Sequence, residues 1–127
     1  MVAAIALGGA LGGTARYGVT RLLPSGSAEL PWATLTANIS GSFLLGLALA
    51  LLIERRPPNR RLPAFIATGV LGSYTTFSAF SVETSLLLEA GKFLTAAAYV
   101  ATSVILGLSA ALTGVRLGRR AALGSDH

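Results

Sequence analysis

The sequence contains no cysteine and a single histidine, His127, the last of its 127 residues. Without cysteine the chain forms no disulfide and no thiolate metal site. Because the one histidine lies in a polar tail, the chain also lacks the residues for cysteine or histidine catalysis. Charge is also scarce, because only 12% of the residues are charged. These absences exclude cysteine and histidine catalysis. We expect that the protein is not an enzyme.

Apolar residues dominate what remains. Hydrophobic residues make up 53% of the chain, 15 further residues are glycine, and the mean hydropathy is +0.69. A folded chain this small leaves much of its surface exposed, so this apolar excess must face lipid. The net charge of +5 does not indicate a nucleic-acid partner, because most basic residues flank apolar segments instead of forming one face.

Four segments are long enough to cross a hydrocarbon core about 30 Å thick, which needs about 20 helical residues. They are residues 2–23, 32–53, 63–88 and 93–115. Pro24, Ser25, Gly26 and Ser27 break the first connection. Because Arg16 interrupts the region where a signal-peptide cleavage site would follow, we expect the first segment to be retained. The sequence thus predicts one domain, 1–127, an all-α membrane protein with four transmembrane helices.

The basic residues are distributed unevenly between the two sides that four crossings would create. One side receives seven and the other two, with Arg16 left out because it lies inside the first segment. The seven are Arg55, Arg56, Arg60, Arg61, Arg116, Arg119 and Arg120, and the two are Arg21 and Lys92. Since basic residues are retained on the cytoplasmic side, we expect a multi-pass protein of the inner (plasma) membrane with both termini cytoplasmic.

Glycines in the first segment repeat at a spacing of four, as Gly8 with Gly12 and Gly9 with Gly13. This spacing lets helix backbones approach closely and favours packing against another copy of the chain. The alternative is that glycine is simply frequent in membrane helices.

Three polar residues lie where lipid disfavours them: Arg16, Asn38 and Glu83. Arg16 either extends to the interface or attracts an anion. Glu83 either reaches the interface or pairs with a cation. Asn38 is too short to reach the interface, so its amide bonds either a neighbouring helix or a permeating species, and its two neutral donors suit a small anion.

The third segment carries the densest pattern, residues 69–83, with the sequence GVLGSYTTFSAFSVE. Two glycines and two threonines weaken a helix there, so we predict a break near the middle of the segment. A break frees backbone carbonyls at membrane depth, and a bound cation is one way to satisfy them. Phe77 and Phe80 can share a helix face whose positive ring edges attract an anion, although such a pair is ordinarily core packing.

Three ordered motifs resemble the Fluc/CrcB fluoride channels over nearly the whole chain. They are GGALGGTARY at 8–17, TLTANISGSF at 34–43 and GSYTTFSAFSVE at 72–83. The resemblance implies a passive channel that exports fluoride and lowers its cytoplasmic concentration. It also implies an antiparallel dimer, two pores, and a central structural Na⁺ at the dimer interface that is not transported.

The same resemblance assigns roles to individual residues. It gives the Na⁺ to the carbonyl oxygens of Gly72 and Thr75, and places Arg16 at a vestibule and Glu83 at the pore end. The fluoride pore would comprise Asn38, Phe77, Phe80, Ser78, Tyr99 and Ser103.

Two observations leave alternatives open. A chain that inserts in both orientations should have balanced basic residues, so the bias of seven to two favours pairing with an oppositely oriented homologous subunit unless dimer assembly overrides it. The other function considered is a small four-helix, proton-coupled exporter of cationic compounds, or a membrane scaffold without transport. An exporter of that kind should carry its carboxylate in the first segment, which here carries Arg16.

Overall fold

The structure is a computed structural model that describes residues 1–24, 26, 29–55 and 57–124. Its elements are all helical in that part of the chain, and no strand occurs there. They are α1 (Val2–Leu22), α2 (Trp32–Arg55), α3 (Arg61–Pro63), the π-helix π1 (Ala64–Leu71), α4 (Gly72–Tyr74), α5 (Phe77–Glu89) and α6 (Phe93–Leu123). Ser25, Ser27, Arg56 and His127, on which parts of the sequence analysis rest, lie outside the described residues.

Three helical stretches of the described chain are both long and apolar enough to cross a membrane: Trp32–Arg55, Arg61–Glu89 and Phe93–Leu123. Helix α1 has 21 residues, which is sufficient length, but Arg16, Arg21 and its glycines make it less apolar. Helix α6 has 31 residues and continues well past residue 115, the predicted end of the fourth span. The protein is therefore an all-helical membrane protein.

Helix α1 packs on π1 through glycine. Gly8 and Gly12 are buried, and a Cβ atom on either would collide with the backbone of π1, at Phe65 for Gly8 and at Val70 for Gly12. Gly13 has nothing within 4 Å of a Cβ position. The glycine spacing thus creates a close approach of backbones, as predicted, but for Gly8 and Gly12 the approach is to the same chain.

Helices α2 and α6 form the other close pair, again through small residues. A Cβ on Gly46 would meet the backbone of Ala111, and one on Gly114 would meet the backbone of Phe43. Farther along α6, Gly118 lies against Leu47. This contact holds α6 against α2. The two helices form a wall beside the stretch Arg61–Glu89.

A small buried cluster joins α2, α5 and α6. It comprises Leu35, Leu87, Ala96 and Tyr99, with Phe80 packed against it. Outside this cluster many large apolar side chains are exposed, among them Leu94 at 84% and Phe77 at 79%. Such an arrangement suits a chain whose outer surface faces lipid or another subunit.

The stretch Arg61–Glu89, called the third stretch below after its place among the four predicted segments, contains two residues of extended backbone near its middle. The α-helix ends at Tyr74 and another begins at Phe77, while Thr75 (φ −81°, ψ 159°) and Thr76 (φ −151°, ψ 123°) have extended backbone. The Thr76 hydroxyl accepts a hydrogen bond from the Ala79 amide (3.2 Å), which caps the start of α5. Thr75 and Thr76 are called the linker below.

Candidate functional site

Asn38 of α2 lies against the linker and bonds its backbone twice. The Asn38 side-chain amide donates to the Thr76 carbonyl (2.9 Å), and the Thr76 amide donates to Asn38 Oδ1 (2.8 Å). A primary amide can pair with one residue of extended backbone in this way, because the N–H and the C=O of that residue point to the same side. Asn38 therefore satisfies the extended backbone that the interrupted helix leaves without partners.

These bonds leave two carbonyls without their usual helical donors. The carbonyl of Gly72 would accept from the Thr76 amide in a continuous helix, but that amide bonds Asn38. The carbonyl of Thr75 would accept from the Ala79 amide, but that amide bonds the Thr76 hydroxyl. Neither carbonyl therefore has the donor that a continuous helix would give it, and the Thr75 oxygen instead faces a side chain of α1.

Arg16 of α1 is half-buried and faces the same linker. Its Nη1 atom lies 3.5 Å from the Thr75 carbonyl oxygen, at the limit of a hydrogen bond. A guanidinium at this position adds positive charge beside the linker. Its side chain is directed to the linker.

Both carboxylate oxygens of Glu83 accept hydrogen bonds from neighbouring helices. The hydroxyl of Thr34 on α2 donates to Oε1 (2.8 Å), and the hydroxyl of Tyr99 on α6 donates to Oε2 (2.6 Å). Tyr99 is completely buried and Thr34 is 8% exposed. The carboxylate is therefore oriented by three helices, and no cation is needed to hold it in place.

Two cavities lie on either side of the linker. The vestibule cavity, about 520 Å³, is lined by polar groups that include Arg16, Thr34, Ser78 and Glu83. The inner cavity, about 340 Å³, is lined by Asn38, Ser42, Phe77, Phe80 and Ser103, among others. Thr76 lines both cavities, so the linker forms the wall between them.

Aromatic rings form one side of the inner cavity. The ring centroids of Phe77 and Phe80 are 5.8 Å apart, and those of Phe80 and Tyr99 are 5.2 Å apart, both pairs tilted. Tilted rings direct some of their electropositive edges into the space beside them. Phe80 is partly buried against the core, whereas Phe77 extends outward from the subunit.

Ser103 of α6 carries a buried hydroxyl group. Its hydroxyl oxygen is buried and has no hydrogen-bond partner, the one such side-chain atom found among the described residues. A buried, unpaired hydroxyl costs about 1–3 kcal/mol, so a partner such as an ion or water is expected there. Ser103 is one of the residues that line the inner cavity.

Comparison with known proteins identifies the family. The model of the family described as CrcB-like protein, Camphor Resistance (CrcB), matches residues 3–115. The chain belongs to the CrcB-like family. The three motifs quoted from the sequence and both cavities lie within the matched region.

Curated CrcB-like relatives are similar over most of this chain. A Paracoccus denitrificans protein is 46% identical over 91% of this chain and 91% of its own length, and a Hyphomonas neptunium protein is 46% identical over 91% and 93%. Both are named fluoride-specific ion channel FluC. A third, named fluoride-specific ion channel FluC 3 from Streptomyces avermitilis, is 44% identical over 95% of this chain, which spans 59% of that relative's length. The family is thus one of ion channels and not of enzymes, as the residue content predicted.

Within this CrcB-like chain the predicted site residues fall into separate groups. Asn38, Phe77, Phe80 and Ser103 line the inner cavity, whereas Ser78 lines the vestibule cavity, with its hydroxyl 3.2 Å from that of Thr76. Tyr99 is not among the lining residues of either cavity, because its hydroxyl is directed to Glu83. Arg16 and Glu83 both line the vestibule cavity.

Sequence reasoning missed three residues of the site: Thr34, Ser42 and Thr76. Thr34 and Ser42 lie one helical turn on either side of Asn38, and that spacing places all three on one face of α2. Thr76 directly precedes α5, a position where threonine commonly caps a helix. The four-residue spacing and the threonine before a helix are both visible in the sequence, but both features are frequent in helices of proteins with many different functions.

Proposed function

We propose that this chain forms a fluoride-selective passive ion channel that exports fluoride and lowers its cytoplasmic concentration. The observation that carries the proposal is the inner cavity, where a buried hydroxyl without a partner, an asparagine amide and two phenylalanines face one space. The names of the relatives identify the ion. Neutral donors and ring edges suit a small anion that must be bound without being trapped.

The physical demand is that a path replace the water around a strongly hydrated ion while letting the ion leave. Asn38 can serve both the linker and an ion, because its amide nitrogen has two protons and the Thr76 carbonyl uses one. The Ser103 hydroxyl adds a second donor. Arg16 lies at the vestibule cavity, where its charge attracts anions without forming part of the inner cavity.

The proposed assembly is an antiparallel dimer, with itself or with an oppositely oriented homologous subunit, in the inner membrane. In it the third stretch, interrupted at the linker, meets its counterpart at the centre. The exposed Phe77 supports a second subunit, because 79% of this large ring is uncovered in one chain. The basic residues favour an orientation with both termini in the cytoplasm for this chain, with four crossings that include α1.

We also propose a structural Na⁺ beside the linker. The carbonyls of Gly72 and Thr75 have lost their helical donors, and two such oxygens from each subunit would provide four hard ligands. A cation held there would raise the positive potential near both cavities.

The test is fluoride efflux from liposomes that contain only this purified chain, followed with a fluoride electrode, with chloride efflux measured in parallel. We expect rapid fluoride efflux and little chloride efflux. Equal rates for both ions would contradict the proposed selectivity. If folded, inserted protein gives no efflux, addition of an oppositely oriented homologous subunit distinguishes an obligate heterodimer, which would restore efflux, from a protein that does not conduct fluoride.

The proton-coupled exporter is less well supported. Its mechanism needs a membrane carboxylate that alternates between protons and cationic substrate. Helix α1 has no acidic residue, and both oxygens of Glu83 accept bonds from Thr34 and Tyr99. A carboxylate held in this way is poorly placed for exchange.

A further inference from the structure

We propose that the groove between α2 and π1 binds one anionic phospholipid of the bilayer, with an acyl chain in the groove and the phosphate on Arg55. The groove encloses about 540 Å³ and lies apart from both cavities of the channel site. The inference does not depend on the ion that the protein conducts.

One face of α2 forms the first wall of the groove. Leu44, Leu47, Leu51 and Arg55 recur at spacings of three or four, so they follow one another along the helix surface. From Leu44 to Arg55 the helix rises about 16 Å, which is roughly half of the hydrocarbon core. The groove therefore has about the depth of a single leaflet.

The opposite wall comes from the first half of the third stretch. Leu62, Ile66, Val70 and Leu71 complete an apolar surface, and Leu62 is half exposed. Such a surface suits a flexible hydrocarbon chain.

Charge complementarity identifies the occupant. Arg55 is the one charged residue among those that line the groove, and it lies at the end of α2, where the apolar wall stops. None of the other lining side chains offers an acceptor to its guanidinium. A phosphate supplies two acceptor oxygens in the geometry that arginine prefers. An apolar groove with a cation at its outer end thus matches the shape and charge of an anionic lipid.

The site would also support the linker. Leu71, which lines the groove, accepts at its carbonyl from both the amide and the hydroxyl of Thr75 (3.0 and 3.1 Å). A lipid that packs against π1 would therefore stabilise the segment that holds the linker in place.

The experiment measures retention of phosphatidylglycerol and phosphatidylcholine with identical acyl chains by the purified full chain, using native mass spectrometry. We expect preferential retention of phosphatidylglycerol. The variant Arg55→Gln should weaken phosphatidylglycerol binding about fivefold and leave phosphatidylcholine unchanged. Arg119→Gln is the matched control, because Arg119 is an exposed arginine outside the groove. Equal losses in the two variants would indicate general surface attraction and overturn the proposal.

A second pair of variants tests the groove itself. Ala48→Phe places a ring in the groove and should reduce retention of both lipids, whereas Ala101→Phe on the exposed surface of α6 should not. If Ala48→Phe leaves lipid retention unchanged but lowers the fraction of dimer, the groove is covered by a second copy of the chain and the lipid assignment is wrong.

Discussion

Asn38 and Thr76 are joined by two hydrogen bonds of 2.9 and 2.8 Å, in which a side-chain amide pairs with the backbone N–H and C=O of a residue 38 positions away. Through this pair α2 fixes the linker, and the linker separates the vestibule cavity from the inner cavity. The sequence suggested that Asn38 either binds an anion or joins two helices. Asn38 does join two helices, and its second amide proton can still be donated to an anion.

Replacing Asn38 with alanine should lower both stability and conduction. The substitution leaves the amide and the carbonyl of Thr76 without partners, at a cost of about 1–3 kcal/mol each. We expect a lower thermal unfolding temperature in detergent and a fluoride efflux at least about tenfold slower. Asn59→Ala is the control, since Asn59 lies in an exposed loop, where its side chain accepts a hydrogen bond from the nearby Arg61 amide. Wild-type efflux from Asn38→Ala would show that the pair is dispensable.

Two adjacent glycines of α1 should respond in opposite ways to alanine. A Cβ on Gly12 would collide with the Val70 carbonyl, so Gly12→Ala must separate α1 from π1 and destabilise the fold by about 1–3 kcal/mol. Gly13 has open space at the same point, so Gly13→Ala should be neutral or stabilise by up to about 1 kcal/mol through helix propensity. Thermal unfolding of the two variants decides the matter, and equal destabilisation would mean that α1 does not pack on π1 as described.

The helices were predictable because lipid permits few alternatives. Long apolar runs bounded by proline, glycine and charge gave the third stretch, Arg61–Glu89, within two residues of the predicted span. The end of α6 at Leu123 was not predictable from hydropathy, because Arg116, Arg119 and Arg120 mark the edge of the membrane. The helix continues past them because Gly118 and Ala122 still pack as buried residues, Gly118 against Leu47 of α2.

The sequence suggested many of the residues that line the two cavities, but not which residue lines which cavity. Arg16, Asn38 and Glu83 were suggested because polar side chains are costly in lipid, and Phe77 and Phe80 because their ring edges can attract an anion. The family resemblance placed both Tyr99 and Ser103 in the fluoride pore. Their hydroxyls instead serve different surroundings, since Tyr99 bonds Glu83 and Ser103 faces the inner cavity. The sequence does not show this difference, because it depends on where α5 packs.

Thr34 and Tyr99 should show strong coupling, because both donate to one carboxylate. Tyr99→Phe and Thr34→Val each remove a bond to Glu83 while preserving size. A hydrogen bond to a charged group contributes about 1.5–3 kcal/mol, so each variant should unfold more easily. In a double-mutant cycle we expect an interaction energy of at least about 0.5 kcal/mol. Tyr17→Phe, at an exposed tyrosine, is the control. Strict additivity would show that the two hydroxyls act independently.

Withdrawal of Na⁺ should weaken the dimer and slow fluoride efflux. The freed carbonyls of Gly72 and Thr75 would then face each other across the interface without a cation between them. Liposomes prepared with a large organic cation in place of Na⁺ should conduct less after prolonged dialysis, and returning Na⁺ should restore the rate. Identical efflux and identical dimer fractions in the two cations would contradict a structural role for Na⁺.

Replacing Ser103 with alanine should separate function from stability. The hydroxyl is buried without a partner in the protein, so its removal should leave the unfolding temperature unchanged or raise it slightly. If the hydroxyl donates to fluoride in the inner cavity, the same substitution should slow fluoride efflux at least about tenfold. Ser109→Ala on the same helix is the control, because Ser109 is exposed and lies outside both cavities. A variant that conducts normally would remove Ser103 from the pathway, and one that loses stability and conduction together would indicate that the hydroxyl is part of the fold.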